Sequence, residues 1–518
     1  MQNYLIDTLS SYQRPFFVAR KSGGNIVTEG IPKHQCGHQI AHGSVHGTDG
    51  IFVEWEWDGE RLVVSNDRYG IYPLFYSCYG GEIRISPSIF HVLAGDFPKT
   101  LNMPGLALCL RLEFFLGEET PFEHIHVLPP GSRLTWHDGK MTLEQGSRAV
   151  PPPASMPNTL DEAVEQYRYL FAQAIARRPP PASGFTLPLS GGRDSRHILF
   201  ELQVQGHQPK RVVTVQGFPP IDDEDRQVAG MIARELDLVH DEVTYSPSHL
   251  ATTLKGIELG ELCGIGHAWL LALAAYLKAQ QVTCIYDGLA GGVLSGGQQV
   301  TEHTLQLIQS GQTVELAEIL LGSESKEKPI HSSFRSTFVT KHIPRYLAVE
   351  RLAKELNRYL DQSNPLLSYV FWNRTRRCIA YLPFSLIGHV KTVYCPYLDH
   401  DLFDFLINLD PKYNLAKSFH DETISRSYPQ FAHLPYAGKA NKPVQQQVID
   451  RYYRRLALES MLYLIRQPGM MRSEFVKTER LVAMLVRDLV TKYPHKAWYL
   501  RNMLYIFKLE RLSNGVNH

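Results

Sequence analysis

Residues 187–195 read Leu-Pro-Leu-Ser-Gly-Gly-Arg-Asp-Ser. The apolar start is typical of a short buried strand, and the glycines predict a turn that opens a helix at Ser195. Gly191 and Gly192 let backbone N–H groups approach an anion closely, because neither residue has a Cβ. The positive end of the helix points at the same place, and Ser190 adds a hydroxyl donor. The stretch therefore predicts a phosphate-binding loop.

Asp194 is the acidic residue of this loop, and its carboxylate would repel a phosphate unless a cation lay between them. Carboxylate oxygens are ligands that Mg²⁺ prefers, so we expect a magnesium ion here. No lysine follows the glycines, which excludes the loop of the form G-x-x-x-x-G-K-[ST]. A plain turn between a strand and a helix is the alternative, and the register of Asp194 and Ser195 argues against it.

Composition restricts the class of protein. A chain of 518 residues is too long for one core and predicts two or three domains. A net charge of +1 is no reason to expect nucleic acid or an anionic membrane as a partner. Seven scattered cysteines without a C-x-x-C pair predict reduced thiols in a cytoplasmic protein. The first residues lack a basic region followed by an apolar core, so we expect no signal peptide.

Changes of pattern along the chain divide it into four parts. Short alternating segments separated by glycine, aspartate and proline turns predict an antiparallel β-rich domain over residues 1–150. Residues 151–182 contain a proline-rich linker and a helix that starts with a capping box of Thr159 and Glu162. Strands alternate with helices over residues 183–450, which predicts a doubly wound parallel sheet. Residues 451–518 are expected to form a helical extension.

Several segments resemble one known family. Residues 190–195 are similar to the pyrophosphate loop of the ATP pyrophosphatases, which split ATP between its α and β phosphates. Residues 66–76 and 125–132 resemble segments of the glutaminase domain of asparagine synthetases. Residues 286–297 share the glycine framework of that family, and residues 393–400 resemble its R-x-P-F-L-D-H segment. The chain is therefore identified as similar to asparagine synthetase-type proteins from about residue 51 to residue 443.

The resemblance implies a fold, cofactors and site residues. The fold would be an α+β domain with a β sandwich like that of the N-terminal nucleophile (Ntn) hydrolases, followed by an α/β ATP pyrophosphatase domain with helical additions. The cofactors would be ATP and Mg²⁺. The implied nucleotide contacts are Leu189, Ser190, Gly191, Gly192, Arg193, Ser195, Val215 and Gly288. The implied catalytic residues are Asp194, Asp399 and either Lys439 or Lys442, between which the sequence does not decide.

This chain departs from the family pattern at the second metal ligand. Leu289 stands at the family's glutamate, and Gly292 stands at the aspartate that helps to hold Mg²⁺. Asp287, one residue ahead of the glycines, is our candidate for a carboxylate in a shifted position, beside Asp194 as the other metal ligand.

Two further groups of charged residues can be explained either by the site or by an ordinary solvated surface. The acidic run at 222–225 matches the family only loosely, and a solvated charge run is the favoured interpretation. Arg374, Arg376 and Arg377 belong either to the site or to a solvated helix face, with no preference between the two.

The resemblance implies an ATP-dependent ligase that adenylates a carboxylate and passes it to an amine or to ammonia. The family's glutaminase nucleophile is a cysteine that follows the initiator methionine, whereas position 2 is Gln2. We therefore expect no glutaminase activity and favour a specialised ligase related to the β-lactam synthetases and the lasso-peptide cyclases.

The partners that we expect are a small-molecule or peptide carboxylate with an amine donor, and a second copy of the chain or a protein of the same biosynthetic cluster. Asparagine synthesis with glutamine or ammonia is one alternative. A degenerate member that only binds a nucleotide or a partner protein is the other.

Overall fold

The computed structural model describes residue 9 and residues 14–44, 47–219, 224–323, 327–416, 418–438, 446–490 and 497–515. Gln2, Lys439 and Lys442 lie outside the described residues, and so do residues 222 and 223 of the acidic run. Among the described segments, no helix combines the length and the apolar composition needed to cross a bilayer.

The N-terminal part is built from antiparallel strands. These are β1 (Phe17–Ser22), β2 (Asn25–Gly30), β3 (Lys33–Ser44), β4 (Gly47–Trp57), β5 (Arg61–Asn66), β6 (Phe75–Tyr79), β7 (Glu82–Ser86), β8 (His126–Val127), β9 (Arg133–His137) and β10 (Lys140–Glu144), with the helices α1 (Ile89–Val92) and α2 (Met103–Leu112). They form two sheets of five strands, ordered β2-β1-β7-β6-β8 and β10-β9-β5-β4-β3. Phe17, Ile85, Trp55 and Trp136 come from both sheets and share one buried cluster, so the two sheets form a sandwich.

The second part alternates strands and helices. It begins with α3 (Leu160–Ala176), β11 (Thr186–Pro188), α4 (Asp194–Val204), β12 (Arg211–Val215), α5 (Glu224–Glu235), β13 (His240–Val243), α6 (His249–Leu259), α7 (Leu271–Ala279), β14 (Cys284–Tyr286) and α8 (Gly291–Leu294). It continues with α9 (Glu302–Gln309), α10 (Thr313–Leu321), α11 (Glu327–Ser333), α12 (Ser336–His342), α13 (Arg345–Asn357), α14 (Pro365–Tyr369), β15 (Thr392–Tyr394), α15 (His400–Ile407), α16 (Pro411–Leu415) and α17 (Phe419–Ser427). The last helices are α18 (Gln446–Arg466), α19 (Thr478–Val490) and α20 (Ala497–Ser513).

Short 3₁₀ turns and a π-helical stretch complete the second part. The turns lie at Ala268–Leu270, Pro396–Leu398, Pro429–Phe431 and Pro468–Arg472. The π-helical segments are Val370–Ile379 and Leu382–Leu386.

The third sheet is parallel throughout and has the order β13-β12-β11-β14-β15. The chain adds β12 and β13 on one side of β11 and then returns to add β14 and β15 on the other side. The strand order therefore reverses between β11 and β14, and the loops that follow these two strands open into the same crevice. Ligands of open α/β sheets bind at such a point.

The structure confirms the predicted fold class, a β-rich sandwich followed by an α/β domain with a doubly wound parallel sheet. The capping box also forms, since the Glu162 N–H donates to Thr159 Oγ1 over 3.2 Å and the Thr159 N–H donates to Glu162 Oε2 over 3.3 Å. The domain borders at residues 150, 182 and 450 stay a prediction. Buried side chains of α1 and α2 belong to the same apolar cluster as those of the parallel sheet.

The glutaminase-like segment at 66–76 forms part of the contact between the two domains. Asp67 is fully buried, and its carboxylate accepts the backbone N–H groups of Tyr69 and Ile71 over 2.9 and 3.3 Å. Arg68 makes a salt bridge with Asp404 of α15 over 2.6 Å. Gly70, at a φ of +58°, has no side chain to obstruct Arg376, whose Nε would lie 3.2 Å from a Cβ at this position. This segment therefore has a structural role in this chain.

Arg376 and Arg377 do not lie on a solvated helix face, and they do not reach the loop at 190–195. Arg376 is buried in the π-helical stretch and donates to the carbonyl oxygens of Gly70, Gly117 and Leu128 over 3.1, 3.2 and 2.8 Å. Arg377 donates to the carbonyl of Glu119 over 2.6 Å. Both sequence-based interpretations of these two arginines are wrong, because their guanidinium groups join the two domains.

Arg376→Ala is expected to reduce the free energy of unfolding by about 3–5 kcal/mol, because it leaves buried carbonyl groups without a donor. The midpoint of urea unfolding followed by circular dichroism measures this loss. Arg374→Ala is the matched control, since Arg374 bonds only to the exposed Gln298 among the described side chains. Equal midpoints for the two variants would show that the Arg376 contacts contribute no stability.

Glu261 is a second buried link between the domains. It has a left-handed backbone with φ +54° and accepts the Ser88 hydroxyl over 2.9 Å and the Ile89 N–H over 3.0 Å. Burial raises the pKa of Glu261 to about 7. A glutamic acid in an unfolded chain titrates at about 4.3, so the folded state keeps a proton that the unfolded state releases.

Glu261 therefore contributes stability that is fully present below about pH 4.3 and is lost as the pH rises towards its folded pKa. Glu261→Gln cannot titrate. The free energy of unfolding of Glu261→Gln, relative to that of the wild type, should therefore rise by about 1.4 kcal/mol per pH unit between about pH 4.3 and pH 7. Above pH 7 this difference should stay constant. Urea unfolding at several pH values measures the difference, and a difference that does not change with pH would contradict the assignment.

Candidate active site

The loop between β11 and α4 is shaped by its own serines. Ser195 Oγ accepts the Ser190 N–H over 3.1 Å, and Ser190 Oγ accepts the Gly192 N–H over 3.2 Å. Arg193 occupies the N-cap of α4 and makes no side-chain capping bond. The first N–H groups of a helix have no intrahelical acceptor, so this end of α4 can receive an anion.

The turn after β14 packs directly against Asp194. A Cβ on Gly288 would lie 2.6 Å from the Asp194 Cβ, and one on Gly291 would lie 2.8 Å from Asp194 Oδ1. The Gly292 N–H donates to Asp194 Oδ2 over 2.9 Å. The glycine framework at 288–292 is therefore explained by the close approach of this backbone to the Asp194 side chain.

The two carboxylate oxygens of Asp194 have different surroundings. Oδ1 is buried without a hydrogen-bond partner among the described residues, and it lies 3.6 Å from Nδ1 of the buried His420. Oδ2 lies at the surface of the crevice, and 32% of the whole side chain is exposed. Asp194 therefore presents one oxygen to the crevice while its other oxygen faces the protein interior.

Aromatic side chains and a second histidine lie behind Asp194. The Tyr397 hydroxyl lies 3.3 Å from the Asp194 carbonyl and 3.4 Å from His420 Nε2. His197 Nδ1 is 3.3 Å from His420 Nε2, and its ring stacks on Phe171 with the centroids 3.6 Å apart. Burial lowers the pKa of His420 to about 3 and that of His197 well below its usual range, so both rings are neutral.

Two acidic side chains, Asp194 and Asp287, lie close enough at the crevice to influence each other. Burial and the nearby Asp287 raise the pKa of Asp194 to about 7, against the opposing effect of the Gly292 N–H. Burial also raises the pKa of Asp287 to about 6, while its Oδ1 accepts the Leu289 N–H over 2.8 Å. Two carboxyl groups that disfavour ionisation together are stabilised as carboxylates by a divalent cation.

The donor set fits Mg²⁺ as one component of a larger site. The described residues contain no group of three or more histidine, cysteine or acidic side chains that could hold a metal. Mg²⁺ is commonly held by one or two carboxylates together with phosphate oxygens and water. Asp194 Oδ2 and the Asp287 carboxylate can supply the protein's share.

A cavity of about 270 Å³ adjoins the loop. Its apolar wall consists of Leu189, Val213, Val215, Trp269, Leu270 and Leu273, and Ser190 and Ser195 line the side next to the loop. The wall is held together by Thr214, whose hydroxyl donates to the Leu189 carbonyl over 2.8 Å. The cavity has room for a flat apolar group beside the loop, and the contact of Leu189 and Val215 with a nucleotide stays a prediction.

Asp225, an exposed residue of the acidic run, contacts the loop. Its Oδ1 accepts the Gly191 N–H over 3.0 Å, and the side chain lines the cavity beside the loop. Asp225 is therefore exposed to solvent, as the favoured interpretation has it, and it also holds the backbone of the loop. The Gly191 N–H is occupied, so the N-terminus of α4 contributes the donors that face the crevice.

Arg193 and Gly191 contact the segment that precedes the two candidate lysines. The Ala437 N–H donates to the Gly191 carbonyl over 3.0 Å, and the Arg193 guanidinium lies 5.0 Å from the Tyr436 ring centroid. Arg193 also pairs with Asp421 of α17, with Nη2 and Oδ2 2.7 Å apart. The chain thus reaches the loop two residues before Lys439, the first residue outside this part of the described chain.

Asp399 is not brought to the loop. Its carboxylate is fully buried and accepts Arg177 Nη1 over 2.9 Å and Arg178 Nη1 over 2.8 Å. Arg178 also pairs with Asp49 of β4 over 2.7 Å. Both Asp399 oxygens are bound to arginine, so the catalytic role expected from the resemblance is corrected to a structural one.

The structure brings together Asp194, Asp287, Gly288, the loop at 189–195 and Val215. The residues that sequence reasoning missed are Asp225, Trp269, Tyr397 and His420. Tyr397 lies inside the segment that suggested Asp399, and Asp225 lies inside the acidic run. Trp269 and His420 carry no motif that could have indicated them.

Gly288→Ala is expected to reduce the free energy of unfolding by about 1–3 kcal/mol, because the added methyl group overlaps the Asp194 side chain. Thermal unfolding measures this loss. Gly469→Ala is the matched control, since a Cβ there meets no atom within 4 Å. A Gly288→Ala protein as stable as the control would mean that the turn and Asp194 are not in close contact.

Comparison with solved structures gives weak likenesses. One is to the glutamine phosphoribosylpyrophosphate amidotransferase from B. subtilis complexed with ADP and GMP, with 12% identity, a TM-score of 0.14, and coverage of 39% of this chain and 49% of that chain. Another is to the allosteric regulatory enzyme of purine biosynthesis, with 12% identity, a TM-score of 0.15, and coverage of 39% and 48%. This chain spans about half the length of these proteins, and such scores do not bear on its fold.

Family models give the stronger result, whereas the comparison with curated proteins found no match. A model described as a glutamine amidotransferase domain matches residues 34–146, the sandwich part of the chain. A model described as asparagine synthase matches residues 166–452, which is more than half of the chain and includes the loop, the glycine turn and Asp225. On this match, the protein belongs to the asparagine synthase family.

Proposed function

We propose that the protein is an ATP-dependent ligase that joins a carboxylic acid to an amine or to ammonia through an acyl-adenylate. The observation that carries this proposal is the position of two neighbouring carboxylates. Asp194 begins α4, and Asp287 follows β14, so both lie where the strand order reverses. Family membership supports the same class of reaction. The identity of the acid is open to any small molecule or peptide with a carboxylate.

The chain's own residues would position ATP in three ways. The adenine ring would bind in the apolar cavity between Val215 and Trp269, and Leu189 would contact its edge. The phosphates would lie at the N-terminus of α4 beside Ser190. Asp194 and Asp287 would hold Mg²⁺, which when bound withdraws charge from the phosphate oxygens.

The reaction would proceed by two displacements. A carboxylate oxygen of the substrate attacks the α-phosphorus, the bond to the bridging oxygen of the β-phosphate breaks, and pyrophosphate leaves. The amine nitrogen then attacks the acyl carbon, loses a proton, and AMP leaves. Negative charge gathers on phosphate oxygens in the first step, and we propose that Lys439 or Lys442, which follow the segment lying on Gly191, neutralises it.

The cysteines of the sandwich domain favour a free amine or ammonia over glutamine as the nitrogen source. Burial raises the pKa of Cys36 to about 11, raises that of Cys78, and raises that of Cys109 well above its usual value. A thiol with a raised pKa is a weak nucleophile at neutral pH. All seven cysteines are free, which supports our proposal of a cytoplasmic enzyme.

A second candidate is a degenerate member that binds a nucleotide or a partner protein without catalysis. Asp225 favours it, because this carboxylate occupies the Gly191 N–H that a phosphate would otherwise receive. Leu289 and Gly292 favour it as well, since neither supplies a carboxylate beside Asp194. The same Leu289 argues against asparagine synthesis of the ordinary kind.

Exchange of labelled pyrophosphate into ATP, measured with a panel of carboxylic acids, tests the proposal. The wild type should exchange with at least one acid, and Asp194→Asn should lower the rate roughly 10²–10³-fold by removing charge stabilisation at the phosphates. Asp361→Asn, at an exposed position, is the matched control and should exchange like the wild type.

Two results would separate the candidates. Tight binding of MgATP by the wild type without exchange for any acid would favour the non-catalytic member. Equal exchange by the wild type and by Asp194→Asn would remove Asp194 from the mechanism.

A further inference from the structure

Another cavity, of about 320 Å³, lies between α6, α18 and α20 and shares no lining residue with the cavity beside the loop. We name it the C-terminal cavity. Its volume is in the range of pockets that hold small organic ligands. The reaction proposed above makes no use of it.

The inner wall of the C-terminal cavity is apolar. Leu254 and Ile257 of α6 form one side, and Leu504 and Phe507 of α20 form the other. Ile257, Leu504 and Phe507 are buried in the main apolar core, so the wall is part of a packed structure. A hydrocarbon or aromatic group in this space would be removed from water on both sides.

The rim of the same cavity is cationic. Lys255, Lys508 and Arg511 line it, and Glu258 is the acidic residue among the lining side chains. Glu258 pairs with Lys255 over 3.3 Å. Arg511 donates one N–H to the Gln467 side chain over 2.8 Å. Among the described residues, neither Lys508 nor Arg511 forms a salt bridge, although the charges of Glu258 and Glu261 act on Lys508 at longer range. The three cations and one acidic residue of the lining leave the rim with a net positive charge.

Lys508 is the lysine of α20 that lines the cavity. It is one residue beyond Phe507, it is only partly exposed, and its ammonium group lies 5.4 Å from the ring of Phe90. Burial lowers the pKa of Lys508, because its ammonium group is poorly solvated. A bound anion would stabilise the charged form.

We propose that the C-terminal cavity binds a small carboxylic acid with an apolar tail. The carboxylate pairs with Lys508 and Arg511 at the rim, and the tail lies between the walls formed by α6 and α20. The cations at the rim should make this acid bind more tightly than an alcohol of the same length. The apolar wall should make it bind more tightly than acetate, which has no tail to bury.

The C-terminal cavity is close to the cavity beside the loop but separate from it. Helix α6 lines the C-terminal cavity, and its Gly256 packs so closely against Ala268 that an added Cβ would be 2.7 Å from the Ala268 Cβ. Ala268 precedes Trp269 and Leu270, which line the cavity beside the loop. Binding at the C-terminal cavity can therefore be measured on the full chain without ATP, whether or not the protein is a ligase.

Titration calorimetry of the full chain with hexanoate, octanoate and octan-1-ol tests the proposal. Each added CH₂ group should tighten binding about fourfold, because the tail is buried. Octan-1-ol should bind at least about tenfold more weakly than octanoate, because it lacks the charge that pairs with Lys508. Equal binding of the acid and the alcohol, or no binding of any acid, would overturn the proposal.

Three variants locate the binding. Lys508→Met keeps most of the apolar stem and should weaken octanoate binding about tenfold, whereas Lys354→Met, which removes an exposed lysine on α13, should leave it unchanged. Ala251→Trp places a ring at an exposed position on the rim and should block the cavity even if Lys508→Met does not fold. Octanoate binding by Ala251→Trp as tight as that of the wild type would place the ligand elsewhere and overturn the proposal.

Discussion

The close packing of the Asp194 side chain against the glycine turn at 288–292 is the constraint on which the site depends. A side chain at Gly288 or Gly291 would overlap Asp194, so only glycine allows the loops after β11 and β14 to meet. Their meeting sets the position of the carboxylates, of the N-terminus of α4 and of the apolar cavity relative to one another. Each of these parts is common in proteins, and the feature particular to this site is their arrangement around one aspartate.

The two sides of Asp194 differ in their electrostatic surroundings. The interior behind Asp194 is aromatic and neutral, because burial lowers the pKa of His420 and of His197 so far that neither ring becomes an imidazolium ion. The nearby cation Arg193 pairs with Asp421. Under the proposed function, a metal ion bound with a triphosphate would balance the charge of Asp194 and Asp287 from the crevice side.

The sandwich domain contributes structure to the α/β domain. Arg376 and Arg377 extend from the π-helical stretch into carbonyl groups of the sandwich, and Arg178 joins Asp49 of the sandwich to Asp399 of the α/β domain. Buried ion pairs of this kind contribute little net stability, but the protein loses much stability when one partner is removed, because the other charge stays buried and unpaired. The segments that resemble a glutaminase domain are therefore accounted for in this chain by the contacts they make, apart from any hydrolysis of glutamine.

The sequence by itself determined the fold class and the order of the elements, and it predicted the loop at 190–195 as the centre of the site. Local signals suffice for these: strand and helix segments alternate along the second part of the chain, a capping box starts α3, and the spacing of glycine, serine and aspartate defines the loop at 190–195. Only the tertiary structure decided the partners of the charged side chains. The sequence made Asp399 a catalytic candidate, favoured a solvated charge for Asp225 and left Arg376 undecided. In the structure Asp399 is bound by arginines, Asp225 holds the loop and Arg376 joins the domains. The reason is that an ion pair or a buried hydrogen bond joins residues far apart in the chain, and no local pattern encodes which distant group will lie within reach.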